Sequence, residues 1–450
     1  MDAAGTVVRG DLLVRDGAIA ALGPAASAAL AGSRPDAEFD AGGALVVPGF
    51  IHGHLHLCQT LFRGLAEQGD LLAWLRERIW PLEAAHTGAS IAASTRMGLA
   101  ELVAGGVTCI NDMGSVRHTE AIGEVLEATG IRAVFGKALM DQGEGVPSGL
   151  IDSRRAALDE ALALARRFHG AAGGRLSVSL APRFILSCSE GLWRDAAAAA
   201  AERGLIVHTH LAESPGEARA VEQAVATSAA RYFAAQSVLN RRFVGAHGVW
   251  LDGEELSLLR AADAALVHCP GSNLKLGSGL ANVRAWREKG IRTGLGSDGA
   301  ACSNRLDTFH EMSLAGLISR VRPAVAGRTS GDGAGPQTPL TAREVVSLAT
   351  CDGARALGLG DAIGSLEVGK QADLAVVDVQ GPHHAPAAES DPYTTLVHAA
   401  RASDVRLTLV AGRTLYRDGA WTTLDPRAVR AECKAELAGL LKRASLLEVA

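Results

Sequence analysis

Two histidines one residue apart, His54-Leu55-His56, close an apolar run that begins at Gly49. On a strand, positions i and i+2 share a face, so both imidazoles point the same way and can share a metal ion. Such a pair alone is a weak signal, because neighbouring histidines are structural or exposed more often than they are ligands. Other apolar runs end in groups of the same kind: His210 with Glu213 three residues on, His247, and Asp298 in Gly296-Ser297-Asp298-Gly299. Imidazoles and carboxylates gathered from separate strand ends are how a protein holds a divalent cation and lowers the pKa of a water. Gln59, three residues past the histidine pair, and Arg183 with Phe184 at the end of another run can hydrogen-bond and pack on a heterocycle. Trp74 lies in the long segment after the first run and can wall a pocket, while Arg183 can instead pair with a nearby carboxylate.

These residues meet only if their strands are parallel neighbours. From Gly49 onward short β-rich runs alternate with Ala-, Leu- and Arg-rich stretches of helical period, the pattern of βα units. The strands are expected at Gly49 to His56, Val107 to Met113, Arg132 to Leu139, Arg175 to Pro182, Leu205 to Leu211, Phe243 to His247, Ala265 to Pro270 and Ile291 to Asp298. Eight units in about 250 residues make a closed α/β barrel, a (β/α)8 TIM barrel, whose active sites lie at the C-terminal strand ends. Ser214-Pro215-Gly216-Glu217 reads as a helix start with Ser at N-cap, Pro at N1 and Glu at N3, which leaves Glu213 at the mouth of its strand. A second start is expected at Thr341 with Glu344, after a Gly-, Ser- and Thr-rich surface loop over Ala326 to Pro339.

Both flanks differ from the middle. Gly10 to Val47 and Gly364 to Trp421 carry short strands with turn signals such as Asp16-Gly17 and Asp418-Gly419. The expected division is a small β-sandwich domain from residues 1–48 and 364–425, a catalytic barrel over 49–363, and a terminal helix over 426–450.

Composition excludes several classes. The 450 residues are 48% hydrophobic and 21% charged with a formal charge of -5, and no basic runs mark a nucleic-acid or membrane binder. None of the seven cysteines falls in a C-x-x-C pair, which suits a reducing cytoplasm. No segment approaches the roughly 20 apolar residues of a membrane helix.

The run Pro48-Gly49-Phe50-Ile51-His52-Gly53-His54-Leu55-His56 resembles the opening strand of the amidohydrolase superfamily, and His208-Thr209-His210-Leu211-Ala212-Glu213 resembles its fifth-strand deaminase motif. The likeness continues through Ala246-His247, Ser272-Asn273-Leu274-Lys275-Leu276 and Gly294 to Asn304, and ends at Gly364 to Leu374, covering essentially the whole chain. The resemblance implies a metal-dependent aminohydrolase with His54, His56, His210 and Asp298 as ligands, and with Glu213, His247 and Asp298 as catalytic groups. Binuclear members carry a lysine at the end of strand four, where this chain reads Ala181-Pro182-Arg183, and Lys137 falls on strand three, so one divalent metal is expected, zinc or iron. Asp298 would take a proton from the activated water, His247 would orient it, and Glu213 would protonate the ring nitrogen beside the attacked carbon. His52 is expected to be a structural neighbour and His208 a support beneath the site, whereas His268 and His310 receive no role. The resemblance also implies a homodimer or larger homo-oligomer.

For the substrate, His56-Leu57-Cys58-Gln59, Leu72 to Leu75 and Pro182 to Glu190 resemble the guanine deaminase branch, where the matching glutamine, arginine and phenylalanine hold the purine. Adenosine-type relatives carry a histidine where Arg183 stands and a ribose-binding carboxylate near Leu72 and Ala73, so an oxopurine base, guanine first, is expected. Gly299 to Asn304, however, is closer to the adenosine and triazine branches. The alternatives are an adenosine- or S-adenosylhomocysteine-type deaminase, a pterin deaminase, a triazine hydrolase and a non-catalytic scaffold of the same fold.

Overall fold

Each of the eight apolar runs becomes a parallel strand in the computed structural model, which describes residues 1–30, 34–67, 69–325, 338–384 and 391–445. The chain opens with a hairpin, β1 (Leu12–Arg15) and β2 (Ala18–Leu22). Its turn residues Asp16 and Gly17 both have positive φ, 50° and 80°, as a two-residue turn between right-twisted strands requires. Next, β3 (Leu45–Pro48) leads directly into the barrel.

The barrel strands are β4 (Phe50–Leu55), β5 (Val107–Asp112), β6 (Arg132–Leu139), β7 (Leu176–Pro182), β8 (Ile206–Leu211), β9 (Phe243–His247), β10 (Ala265–His268) and β11 (Arg292–Leu295), hydrogen-bonded in chain order. They are buried almost end to end, because helices cover the outside and side chains fill the inside, which is why such strands read as unbroken apolar runs. The first and last strands meet where Asp298 N–H donates to the His54 carbonyl (3.2 Å). Gly296 makes that approach possible, since a Cβ there would stand 2.6 Å from the same carbonyl oxygen.

After the barrel, β12 (Leu374–Val377), β13 (Val405–Val410), β14 (Arg413–Arg417) and β15 (Ala420–Trp421) return to pair antiparallel with one another and with β3. The terminal strands therefore make two sheets, one of two strands and one of five. They are joined by a bridge at Ala18 and Gln371, by backbone bonds such as Ile19 N–H to the Lys370 carbonyl (2.8 Å), and by a shared core of Ile19, Leu374, Val376 and Leu407. A bulge between Leu13 and Val14 interrupts the hairpin's register. A final helix, Pro426–Arg443, packs on helix Gly88–Ala104, with Arg96 paired to Glu432 (2.7 Å). Thr341 and Glu344 form a reciprocal capping box at helix Ala342–Leu348. Of the surface loop expected over 326–339, residues 326–337 lie outside the described residues. Among the described residues no helix is long and apolar enough to cross a membrane.

Candidate active site

The C-terminal strand ends bring His54, His210, His247 and Asp298 together, each offering one ligand atom within 4.8 Å of every other. His56 joins from the turn after β4, its Nε2 3.2 Å from His210 Nε2 and 3.4 Å from Asp298 Oδ1. His54 Nε2 stands 3.3 Å from the same Asp298 oxygen. Ligand atoms about 2.0–2.2 Å from one ion lie roughly 2.9–3.5 Å apart, so these spacings fit the edges of a coordination shell.

The backbone is bent to aim these groups. Ala212, His247 and Asp298 all have positive φ, 48°, 75° and 61°, which is unfavourable for residues with a Cβ and is held by the surrounding structure. Side-chain partners then set which nitrogen faces inward. His210 Nδ1 lies 2.8 Å from the Arg183 carbonyl and His247 Nδ1 2.9 Å from Asn273 Oδ1, so both carry the proton on Nδ1 and turn a bare Nε2 to the centre. His54 Nδ1 is 2.9 Å from His208 Nε2, which places His208 beneath the cluster as the sequence suggests. Buried Nε2 atoms of His54 and His247 have no hydrogen-bond partner among the described residues, an arrangement a bound cation would satisfy.

Electrostatics agree. Burial holds His54, His56, His208 and His210 below the usual imidazole range, in the neutral form that ligates metals. Burial works against ionisation of Asp298, but contact with His54 and the nearness of the His56 and His247 imidazoles outweigh it and hold the carboxyl well below its usual range. Ser272 Oγ donates to Asp298 Oδ2 (2.6 Å) and fixes its rotation. Glu213 faces the other side of the cluster, Oε2 3.5 Å from His247 Nε2 and Oε1 3.4 Å from the Ser278 hydroxyl. Burial pushes Glu213 up to about 7 despite the pull of His247, so its carboxyl can hold and release a proton near neutrality.

A narrow cleft opens over this cluster, lined by His56, Gln59, Trp74, Arg183, Phe184 and Glu213 among others. All four expected substrate residues thus reach it, but two are already engaged. Arg183 Nη1 donates to Glu83 Oε2 (2.5 Å) and Nη2 to Glu83 Oε1 (3.0 Å), so the alternative of pairing with a carboxylate is the one realised. Gln59 Nε2 donates to the same Glu83 Oε1 (2.9 Å), while its buried Oε1 has no partner among the described residues. Trp74 packs in the wall with its indole N–H on the Ala66 carbonyl (3.0 Å).

Glu83 escapes sequence reasoning because it sits in the short helix Trp80–Ala84 inside the long insert after β4, where no strand end announces it. Glu217 is legible only as a helix-start residue. Ser214 does cap that helix by accepting from Glu217 N–H (3.1 Å), but the Glu217 carboxylate reaches one residue further, accepting from Glu213 N–H (2.9 Å) rather than from the cap. His52 Nε2 lies 2.7 Å from Thr308 Oγ1. Lys137 is held away from the cluster by Asp152 (3.1 Å) and Glu160 (3.0 Å).

Barrel, converging imidazoles and a poised carboxyl together define a metal-dependent hydrolase of the (β/α)8 class. The model of the Amidohydrolase family matches residues 45–415, and the chain belongs to that family. It is 36% identical over 444 residues to a 5-methylthioadenosine/S-adenosylhomocysteine deaminase of Halobacterium salinarum, covering 98% of each chain. Among solved structures it superposes on an adenosine deaminase from Xanthomonas campestris with bound zinc at a TM-score of 0.86 and 28% identity, covering 96% of this chain and 93% of that one. It also matches E. coli guanine deaminase, with a TM-score of 0.78, 26% identity and coverage of 90% and 92%.

Proposed function

We propose that this chain is an aminohydrolase with one divalent cation that deaminates an adenosine-type nucleoside, of the class that includes S-adenosylhomocysteine and 5-methylthioadenosine, and releases ammonia. The observation that carries the reading is Glu213, a buried carboxyl pushed up to about 7 and set across from the His54, His210, Asp298 cluster. The chemistry supplied by a bound cation, zinc or iron, is acidification of a water. His54, His56, His210 and Asp298 would hold the ion; Asp298 would accept the water's proton and His247 would orient the nucleophile. Glu213 donates to the ring nitrogen beside the attacked carbon, and the proton on Asp298 leaves with the amine.

The expectation of guanine gives way to the nucleoside alternative for a physical reason. The donors that an oxopurine carbonyl would need are turned toward Glu83, with Nη1 and Nη2 of Arg183 and the amide of Gln59 each directing one of two N–H groups at it. The orphaned Gln59 Oε1 is instead an acceptor, which suits an N–H group. The identity of 36% to a deaminase of adenosine derivatives over nearly both full lengths supports the same choice. All seven cysteines are free, in keeping with the expected reducing cytoplasm.

The test is ammonia release from adenosine, 5-methylthioadenosine, S-adenosylhomocysteine, guanine, 8-oxoguanine and an aminotriazine. An adenine nucleoside should exceed guanine in kcat/KM by about tenfold or more, since a site leaves unpaired groups against the wrong ring. Guanine as the best substrate would overturn the nucleoside assignment, and no turnover of any compound by metal-loaded protein would favour a non-catalytic scaffold.

A further inference from the structure

A second convergence of metal-binding side chains lies in the five-stranded sheet, outside the barrel mouth. The turn after β12 presents His383 and His384, and Asp404 ends the short turn Ala402–Asp404 that leads into β13. A backbone bond from Asp378 N–H to the Asp404 carbonyl (2.8 Å) holds the two connections side by side. His383 Nε2 is 3.0 Å and His384 Nε2 3.4 Å from the same oxygen, Asp404 Oδ2, and the ring centroids are 4.0 Å apart. Arg401 N–H also donates to that oxygen (2.8 Å), which fixes the carboxylate in place.

A simple hydrogen-bonded His–Asp pair accounts for His383 but not for a second imidazole turned to the same oxygen. The His384 side chain is only 1% exposed, and neither of its ring nitrogens has a hydrogen-bond partner among the described residues, an unfavourable state for a buried polar group. Ligand atoms about 2.0–2.2 Å from a common ion stand roughly 2.9–3.5 Å apart, the range of both contacts. Two imidazoles and one carboxylate suit a borderline divalent cation such as zinc better than magnesium or calcium, which take oxygen ligands. His383, with 28% of its side chain exposed, leaves the position reachable from solvent, so water can complete the shell.

We propose that His383, His384 and Asp404 form a second divalent-cation site, separate from the barrel cluster, that ties the exit of β12 to the entry of β13. The inference stands whether or not the barrel deaminates nucleosides. To test it, the full chain is stripped with a chelator and titrated with zinc, with bound metal counted by elemental analysis and calorimetry. Wild type should take up two equivalents, whereas the double variant His383→Gln/His384→Gln should take up one and keep wild-type turnover. One equivalent in wild type, or two in the folded double variant, would overturn the site. If the double variant does not fold, diethyl pyrocarbonate labelling of wild-type His383, mapped by peptide mass spectrometry, decides. Labelling should slow at least tenfold between the first and second zinc equivalents, and an unchanged rate would refute the proposal.

Discussion

Replacing Glu83 with alanine removes the carboxylate that accepts two hydrogen bonds from Arg183 and one from Gln59, in a place where the Arg183 side chain is 4% and the Glu83 side chain 7% exposed. A buried ion pair broken by deleting one partner leaves an uncompensated charge, which costs about 3 to 5 kcal/mol. Arg183→Ala has the mirror consequence, leaving Glu83 with only the neutral Gln59 amide. Removing both partners removes both the attraction and the stranded charge, so the double variant should be more stable than the summed single losses imply, by roughly 1.5 to 3 kcal/mol. Urea unfolding of the four proteins at saturating metal measures that difference. Losses additive within about 0.5 kcal/mol would show that the two residues do not depend on each other. The same variants report on substrate choice. Once Glu83 is gone, the two N–H groups that Arg183 Nη1 and Nη2 direct at it are released, so kcat/KM for guanine relative to adenosine should rise in Glu83→Ala. A ratio that stays constant or falls would refute the idea that Glu83 withholds Arg183 from an oxopurine.

Glu213→Gln should lower turnover by about a hundredfold or more with bound metal unchanged by elemental analysis, while Asp298→Asn should lose metal as well as activity because it removes an inner ligand; a Glu213→Gln enzyme near wild-type turnover would remove that residue from the proton path. Asp112, fully buried at the end of β5 and accepting from Leu57 N–H (2.8 Å), is pushed up to about 7 by burial. Its folded form therefore holds a proton that the unfolded chain releases near pH 4, and the stability it contributes falls as pH rises from about 4 through about 7. Asp112→Asn should gain stability relative to wild type between pH 5 and pH 8 in urea unfolding, and an equal difference at both pH values would contradict this.

The barrel is legible in the sequence because strands buried on both faces must be apolar throughout, and because His54, His56, His210, Glu213, His247 and Asp298 interrupt those runs only at their ends. The cluster follows once the strands are parallel neighbours. What the sequence hides is pairing between distant side chains. Arg183 and Glu83 are 100 residues apart, and nothing local to either shows that the guanidinium is spoken for. Glu217 shows a related limit: its type and spacing announce a helix start, but not that its carboxylate bonds to Glu213 N–H instead of the cap. His383 and His384 are adjacent in sequence, yet only the β12–β13 pairing brings Asp404 to them.

The cation-facing groups sit at strand ends whose backbone is fixed by barrel closure, whereas much of the cleft wall, Leu71, Trp74, Leu75 and Leu276, belongs to the segments that follow β4 and β10. Loops tolerate replacement far better than closed strands do. On the proposed reading the hydrolytic groups belong to the strand ends, while the insert between β4 and helix Gly88–Ala104 supplies Glu83 and much of the wall, so substitutions there should shift the accepted heterocycle without rebuilding the cluster. A scaffold partitioned in this way is a good starting point for selecting new deaminase specificities, with diversity confined to the wall and the strand ends left untouched.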